Sequence, residues 1–141
     1  LSLEPGLLVI ANRTAERAEA LARQFGVLGN LAGCAFGDVA REPFDLIVNA
    51  TSASLRGEVP LVPIDVVGPG TTCYDMAYGV GDTAFVAWAK RLGAARAEQG
   101  WGMLVEQAAE AFHLWRGVRP DTAPVLALLR KRAATPPRTP P

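Results

Sequence analysis

Two arginines stand one helical turn apart, directly after the first apolar segment of the chain. Residues 7–12 are apolar up to Asn12, as is typical of a buried parallel strand, and Arg13 and Arg17 follow at the start of a predicted helix. Guanidinium groups bind phosphate through paired hydrogen bonds, and the amides of a helix N-terminus also favour an anion. Solvated side chains are the alternative, but arginine is unfavourable at the positive end of a helix dipole. We therefore predict that Arg13 and Arg17 form a phosphate site.

The position of Arg13 indicates which phosphate is bound. In a dinucleotide-binding βαβ unit, the second strand ends beside the adenine ribose. An acidic residue there binds the 2′-hydroxyl of NAD, whereas an arginine accommodates the 2′-phosphate of NADP. Arg13 takes this place, flanked by Asn12 and Thr14, and no Gly-x-Gly-x-x-Gly loop precedes the strand. The sequence therefore predicts NADP as the cofactor.

Two later strands end in residues that suit the rest of such a site. A second buried strand is predicted over residues 44–49 and is followed by Thr51 and Ser52. The next strand places Met76 and Tyr78 on one face because side chains alternate. Ligands of open parallel sheets bind beyond the carboxyl ends of the strands, so these residues are candidates for ligand contacts. The alternatives are a simple turn at Thr51 and Ser52, and core packing of Met76 and Tyr78.

A glutamine on an apolar helix face is the most distinctive single residue. The pattern over residues 102–116 predicts an amphipathic helix, and Gln107 falls within its apolar stripe, which consists of Leu104, Ala108, Ala111 and Trp115. A buried amide needs hydrogen-bond partners, since an unpaired one costs roughly 1–3 kcal/mol. We predict that Gln107 binds a ligand, with a hydrogen-bonded core amide as the alternative.

Composition excludes several function classes. The 141 residues include 14 basic and 14 acidic side chains with no basic stripe, which argues against a nucleic-acid partner. Cys34 and Cys73 lack metal-ligand spacing, so we expect reduced core thiols and no metal site. His113 shares a helix face with charged residues and is expected to be solvated, not catalytic. With no transmembrane run and no basic leader, the expected location is cytoplasmic and away from membranes.

The order of the elements predicts an α/β fold, an open parallel sheet with flanking helices. In addition to the segments above, the patterns predict helices over 14–25, 64–67 and about 121–134, and strands over 72–78 and near 35–36 and 95–97. A further helix is predicted to be capped by Asp82 or Thr83, to run to about Leu92 and to stop at Gly93, and the helix over 102–116 is predicted to end at Gly117. The Pro-rich residues 135–141 are predicted to be a disordered tail.

Together these segments resemble the shikimate dehydrogenases. The matching pieces are Asn12-Arg13-Thr14-x-x-Arg17-Ala18, Val48-Asn49-Ala50-Thr51-Ser52 and Tyr74-Asp75-Met76-x-Tyr78-Gly79. The longest and most specific piece is Gly100-x-Gly102-Met103-Leu104-Val105-x-Gln107-Ala108-Ala109-x-Ala111-Phe112-x-x-Trp115-x-Gly117-x-x-Pro120. The resemblance spans residues 7–130 and covers the C-terminal half of the family's pattern.

The resemblance implies a fold and a reaction. Residues 1–134 would form a Rossmann-like NADP-binding domain, truncated at its N-terminus, whose C-terminal helices close on the substrate cleft. The family reduces 3-dehydroshikimate to shikimate with NADPH, in the biosynthesis of chorismate and the aromatic amino acids. The family's catalytic lysine and aspartate lie in an N-terminal substrate domain outside the matched half, so the resemblance implies no catalytic residue here and an inactive chain on its own.

The resemblance also implies roles for single residues. The 2′-phosphate of NADP would be held by Asn12, Arg13, Thr14 and Arg17. The rest of the cofactor would be lined by Thr51, Ser52, Met76 and Gly100, the last two near the nicotinamide. Tyr78 and Gln107 would contact the substrate, 3-dehydroshikimate or shikimate.

Two other interpretations remain open from the sequence. One is the corresponding half of a quinate/shikimate dehydrogenase, although Arg13 opposes the NAD preference of that branch. The other is a non-catalytic chain that forms a homodimer, or pairs with the missing half, through open sheet edges.

Overall fold

The computed structural model describes residues 1–133, so the predicted disordered tail over 135–141 lies outside the described residues. The strands of the described part are β1 (Leu8–Asn12), β2 (Leu31–Ala35), β3 (Leu46–Asn49), β4 (Thr72–Asp75) and β5 (Arg96–Gln99). Its α-helices are α1 (Ala15–Phe25), α2 (Ala84–Arg91), α3 (Trp101–Arg116) and α4 (Ala123–Ala133). The short helix expected over 64–67 is a 3₁₀ turn at Ile64–Val66.

The chain divides into two compact units. The first consists of Leu1–Pro43 and Pro60–Val67, and the second of Phe44–Val59 and the segment from Gly68 onward. The first unit contains the parallel pair β1–β2, and the second contains a parallel sheet in the order β3-β4-β5. The predicted parallel α/β architecture is confirmed, as two sheets of two and three strands.

In the first unit, α1 packs on both strands because a glycine lets it approach. A Cβ atom at Gly33 in β2 would lie 2.5 Å from the backbone carbonyl of Ala18 and from the amide nitrogen of Glu19. Ala18, on the facing side of α1, is completely buried. Small residues on both sides therefore bring the helix backbone against the strand, and this contact sets the orientation of the helix that carries Arg17.

In the second unit, the core lies between the sheet and α2, which connects β4 to β5. Phe85, Val86 and Ala89 on α2 and Cys73 on β4 are all buried, and α2 contacts both β4 and β5. Burial raises the pKa of the Cys73 thiol to about 11, so it remains a neutral core thiol at physiological pH, as predicted. Cys34 is half-buried, and its pKa is raised by burial and by the nearby Asp38.

Helix ends of the second unit follow the predicted signals. The hydroxyl of Thr83 accepts a hydrogen bond from the amide of Val86 at the start of α2. Gly93 and Gly117, at φ +82° and +72°, adopt the left-handed conformation that ends α2 and α3. The predicted boundaries of these two helices are confirmed to within one residue.

Several strand predictions need correction. β1 was predicted to be a buried strand, but none of its residues is buried. β2 and β5 were predicted near 35–36 and 95–97 and lie at Leu31–Ala35 and Arg96–Gln99. β4 ends at Asp75, so Met76 and Tyr78 lie in the loop that follows and not on the strand face predicted over 72–78. β3 was predicted to be buried on both faces, but Leu46 and Val48 are 58% and 51% exposed. β3 pairs with β4 alone among the described strands, so it is an edge strand.

Gly33→Ala is expected to destabilise the first unit by about 1–3 kcal/mol or more, because the added methyl would overlap backbone atoms of α1 that cannot move aside independently. Urea denaturation measures the change. Gly37→Ala is the matched control, since a Cβ there meets nothing within 4 Å. Equal stability of the two variants would show that the helix does not depend on the close approach at Gly33.

Candidate functional site

The predicted phosphate site lies in the first unit, where β1 meets α1. Asn12 ends the strand, and its side-chain oxygen accepts a hydrogen bond from the amide of Thr14 at 2.9 Å. This closes a tight turn that leads into the helix. Arg13 and Arg17 are exposed, and neither guanidinium has a hydrogen-bond or ion-pair partner within residues 1–133. Two unpaired cations at the positive end of a helix suit a phosphate ligand in their charge and donor geometry.

In the second unit, a fully buried carboxylate organises the ends of two strands. Asp75, at the end of β4, is 0% exposed. Its oxygens accept hydrogen bonds from the Asn49 amide at 3.0 Å, the Ser54 hydroxyl at 2.5 Å and the Thr83 hydroxyl at 2.6 Å. The backbone amide of Ala77 donates to it as well, at 3.1 Å. One side chain thus connects the end of β3, the loop after β4 and the start of α2.

Thr51 is bound to this network through Asn49. The Asn49 side-chain oxygen accepts from the Thr51 amide at 3.1 Å and from its hydroxyl at 2.8 Å, and the Thr51 hydroxyl oxygen in turn accepts from Ala53. The Ser52 hydroxyl is exposed and accepts a hydrogen bond from Arg56. Thr51 therefore also has the turn-forming role that was the alternative interpretation, and its amide and hydroxyl are already hydrogen-bonded.

Met76 and Gly100 are brought together. The amide of Met76 continues the ladder with a hydrogen bond to the Asn49 carbonyl at 3.0 Å, and its side chain is 39% exposed. A Cβ atom at Gly100 would lie 2.3 Å from the Met76 carbonyl oxygen. Only glycine fits there, so the start of α3 lies directly against the loop after β4. Met76 and Gly100, both predicted to line the cofactor, are therefore neighbours.

Tyr78 lies in the same loop and is held against the first residue of α3. Its ring centroid is 4.7 Å from that of Trp101, with the rings tilted by 44°. The side chain of Gln99 accepts a hydrogen bond from the Gly79 amide at 2.8 Å and donates one to the Gly81 carbonyl at 2.6 Å. The Tyr78 side chain is 42% exposed. The phenol is thus available to a ligand, while the backbone around it is fixed.

The predicted burial of Gln107 is wrong. Gln107 is exposed, and α3 packs through Val105 and Ala109 instead, which lie on the opposite side of the helix. Of the predicted apolar stripe, Ala108 is exposed and Trp115 is 80% exposed. The argument from an unsatisfied buried amide therefore does not apply to this residue. Within residues 1–133 its amide forms no hydrogen bond, and it lies on the side of α3 opposite Val105 and Ala109.

The two acidic residues beside Gln107 share one cation. Glu106 and Glu110 both pair with Arg119, which follows the turn at Gly117, and the Glu106 contact is 2.8 Å. His113 is exposed, as predicted. The side of α3 that carries Gln107 therefore presents an amide next to paired charges.

Sequence reasoning missed three residues that position the site: Asp75, Gln99 and Trp101. Asp75 stood in a matching motif without a role, although an acid at the end of an apolar strand is itself a signal of buried hydrogen bonding. Gln99 and Trp101 flank Gly100, but no periodicity marks them. Only the folded chain shows which loop they meet.

Two kinds of feature, a metal-binding cluster and a membrane-spanning helix, are absent from residues 1–133. In residues 1–133, no group of three or more histidine, cysteine, aspartate or glutamate side chains is arranged to hold a metal ion. No helix in that range is both long enough and apolar enough to cross a membrane.

Comparisons with known proteins identify relatives. Residues 100–130 match the family model of the shikimate 5′-dehydrogenase C-terminal domain. Over 126 residues the chain is 57% identical to shikimate dehydrogenase (NADP(+)) of Alkalilimnicola ehrlichii, covering 89% of this chain and 46% of that protein. The predicted resemblance is thereby confirmed, and the chain spans about half the length of the curated relatives it matches.

Solved structures give the same result for the fold. The Ael1 enzyme from Pseudomonas putida superimposes with a TM-score of 0.79 at 45% identity, over 89% of this chain and 46% of that chain. A shikimate 5-dehydrogenase from Thermus thermophilus, crystallised with NADP(H) and shikimate, gives 0.65 at 30% identity, over 89% and 45%. The predicted Rossmann-like arrangement of parallel strands and helices is therefore that of these enzymes.

Asp75→Ala is expected to lower the free energy of unfolding by about 3 kcal/mol, because it leaves a buried amide and two hydroxyls without their acceptor. Asp75→Asn should cost less, since one acceptor oxygen remains. Chemical denaturation measures both variants. Asp65→Ala is the control, because Asp65 makes an exposed ion pair with Arg41 that contributes less than about 1 kcal/mol. A similar loss for Asp75→Ala and the control would contradict the role of the buried carboxylate.

Proposed function

We propose that this chain, a relative of the shikimate dehydrogenases over about nine-tenths of its length, binds NADP and contributes to a shikimate-binding surface. The unpaired guanidinium groups of Arg13 and Arg17 at the start of α1 carry the proposal. They have the charge and the donors for a 2′-phosphate, and no acidic side chain occupies the position at which NAD-binding proteins hold the free hydroxyl.

The phosphate would be bound by the turn as well as by the two cations. Asn12 uses its side-chain oxygen to shape the turn, which leaves its amide nitrogen free to donate. Thr14 is exposed and offers its hydroxyl at the same helix start. Together with Arg13 and Arg17, these residues supply donors and no competing carboxylate.

The second unit would line the remainder of the cofactor. Thr51 and Ser52 follow β3, and Met76 and Gly100 stand in contact after β4 and β5. In this pair, glycine lets the backbone approach closely and methionine presents an adaptable apolar side chain, which suits a flat aromatic ring. Bound NADPH would supply the hydride. The role of these residues would be to hold the cofactor and orient its nicotinamide ring.

Tyr78 and Gln107 would contact the substrate. The Tyr78 phenol and the Gln107 amide are both exposed and can donate and accept hydrogen bonds, as hydroxyl and carboxylate groups of shikimate require. The family's catalytic lysine and aspartate fall outside the matched half. The reduction of 3-dehydroshikimate would therefore need that half, whereas binding by this chain would not need its proton donor. A quinate preference paired with NAD is disfavoured by Arg13.

Arg13→Ala is expected to weaken NADP⁺ binding to the 141-residue chain by about 10- to 100-fold and to leave NAD⁺ binding unchanged, because a charge-assisted contact to the 2′-phosphate is lost. Isothermal titration calorimetry measures both ligands. Arg23→Ala, on the last turn of the same helix and paired with Glu19, is the matched control. Gln107→Ala is the reciprocal variant, expected to reduce shikimate affinity alone. An equal effect of Arg13→Ala on both nucleotides would contradict the assignment.

The exposed apolar side of α3 favours a second proposal, that the chain pairs with another polypeptide. Phe112, Leu114 and Trp115 are 46%, 77% and 80% exposed, so this stretch of α3 offers apolar side chains that a partner would cover. Size-exclusion chromatography with light scattering over a wide concentration range is the test. A homodimer that Trp115→Glu dissociates would support pairing through this face, and a monomer at all concentrations would contradict self-association.

A further inference from the structure

Three consecutive residues at the junction of β5 and α3, Gln99, Gly100 and Trp101, contact the loop after β4. The Gly100 amide donates to the Ala77 carbonyl at 3.1 Å. The Gln99 side chain bonds the Gly79 amide and the Gly81 carbonyl at 2.8 and 2.6 Å. The Trp101 ring lies against that of Tyr78. This short stretch of chain therefore makes most of the contacts to the loop that carries Tyr78, and two hydrogen bonds, from the Ala77 amide to Asp75 and from the Gly81 amide to the Ala133 carbonyl, complete them.

Gln99 makes two of these contacts, both of them hydrogen bonds from its side chain to the loop backbone. Its side-chain amide bonds the loop as the backbone of a neighbouring strand would. The amide oxygen accepts from the Gly79 N–H, and the amide nitrogen donates to the Gly81 carbonyl two residues later. The loop contains Gly79 and Gly81, and Gly81 has a φ of +72°, so its backbone has little conformational preference of its own. Without external hydrogen bonds, such a loop would sample many conformations.

The orientation of Gln99 is itself determined by the sheet. Gln99 is the last residue of β5 and stands in register with Asp75, the buried carboxylate of β4. Gln99 is half-buried, and the next position, Gly100, accepts only glycine because a Cβ there would overlap the Met76 carbonyl. Gln99 is thus anchored in the sheet beside the buried Asp75.

We propose that Gln99 is a positioning residue, which holds the 77–81 loop so that the Tyr78 phenol meets the substrate. The assignment rests on the proposed function for the role of Tyr78, and on the hydrogen bonds above for the loop. Gln99 does not contact the substrate itself; it acts through the Gly79 and Gly81 backbone and through the Tyr78–Trp101 ring contact.

Gln99→Met in the 141-residue chain removes both hydrogen bonds at similar side-chain length. We expect exchange of the Gly79 amide with solvent to accelerate about tenfold, and shikimate to bind about tenfold more weakly, as for the loss of one or two hydrogen bonds. The Tyr78 ring resonances should move as the contact with Trp101 loosens. Tyr74, the other tyrosine, serves as the internal reference. NMR spectroscopy of labelled protein reports all three.

Two further variants separate positioning from general stability. Gln99→Glu keeps an acceptor for the Gly79 amide but loses the donor to Gly81, so its effects should lie between those of wild type and Gln99→Met. Gln24→Met makes the same change at an exposed site on α1 and should alter none of the measurements. A purely structural role would lower NADP⁺ and shikimate affinity together, whereas positioning of Tyr78 should affect shikimate more.

The outcomes are distinct. Unchanged Gly79 exchange and Tyr78 resonances in Gln99→Met would overturn the proposal, as would altered resonances with unaltered shikimate affinity. A wild-type chain that binds no shikimate would contradict the proposed function instead. In that case the Gly79 and Tyr78 measurements alone would decide whether Gln99 positions the loop.

Discussion

A carboxylate taken completely out of water must have its oxygens hydrogen-bonded, and in this protein that requirement organises the second unit. Asp75 meets it with donors from the end of β3, the loop after β4 and the cap of α2. Removing one partner would leave the others facing a desolvated charge, so the three segments are energetically coupled. The same network carries Thr51 through Asn49, and it fixes the backbone from which Met76 and Tyr78 project.

Close backbone approach is the second organising feature, and both units use it. Gly33 brings α1 against β2, and Gly100 brings the start of α3 against the Met76 carbonyl. At Gly33 the missing Cβ lets the middle of α1 pack on the middle of β2, and at Gly100 it lets the start of α3 lie against the residue that follows β4. Rigid backbone contacts of this kind are what a binding site needs, because a shift of an ångström would move every donor.

The sequence predicted the elements well where the signals are local. The ends of α2 and α3 followed from a threonine cap and from glycines that adopt positive φ, and the phosphate-binding candidates followed from two arginines at a helix start. Gln107 was misplaced because apolar residues occur on both sides of α3. Spacing identifies a stripe, but only the neighbouring sheet decides which stripe is buried, and Val105 and Ala109 form that side. β3 was likewise predicted to be buried, yet Leu46 and Val48, which share one face of the strand, are exposed, because burial depends on what covers that face and not on the composition of the strand.

By itself, the sequence determined the family resemblance, the alternation of strands and helices, and the chemistry available at each strand end, since these depend on residue types and short spacings. Only the tertiary structure decided that Asp75, Gln99 and Trp101 hold the site together, because their partners lie far along the chain, from 8 to 26 positions away. Hydrogen bonds and packing over such separations exist only once the sheet has formed. The chemistry of the site can therefore be read from its motifs, whereas its positioning residues are found from the fold.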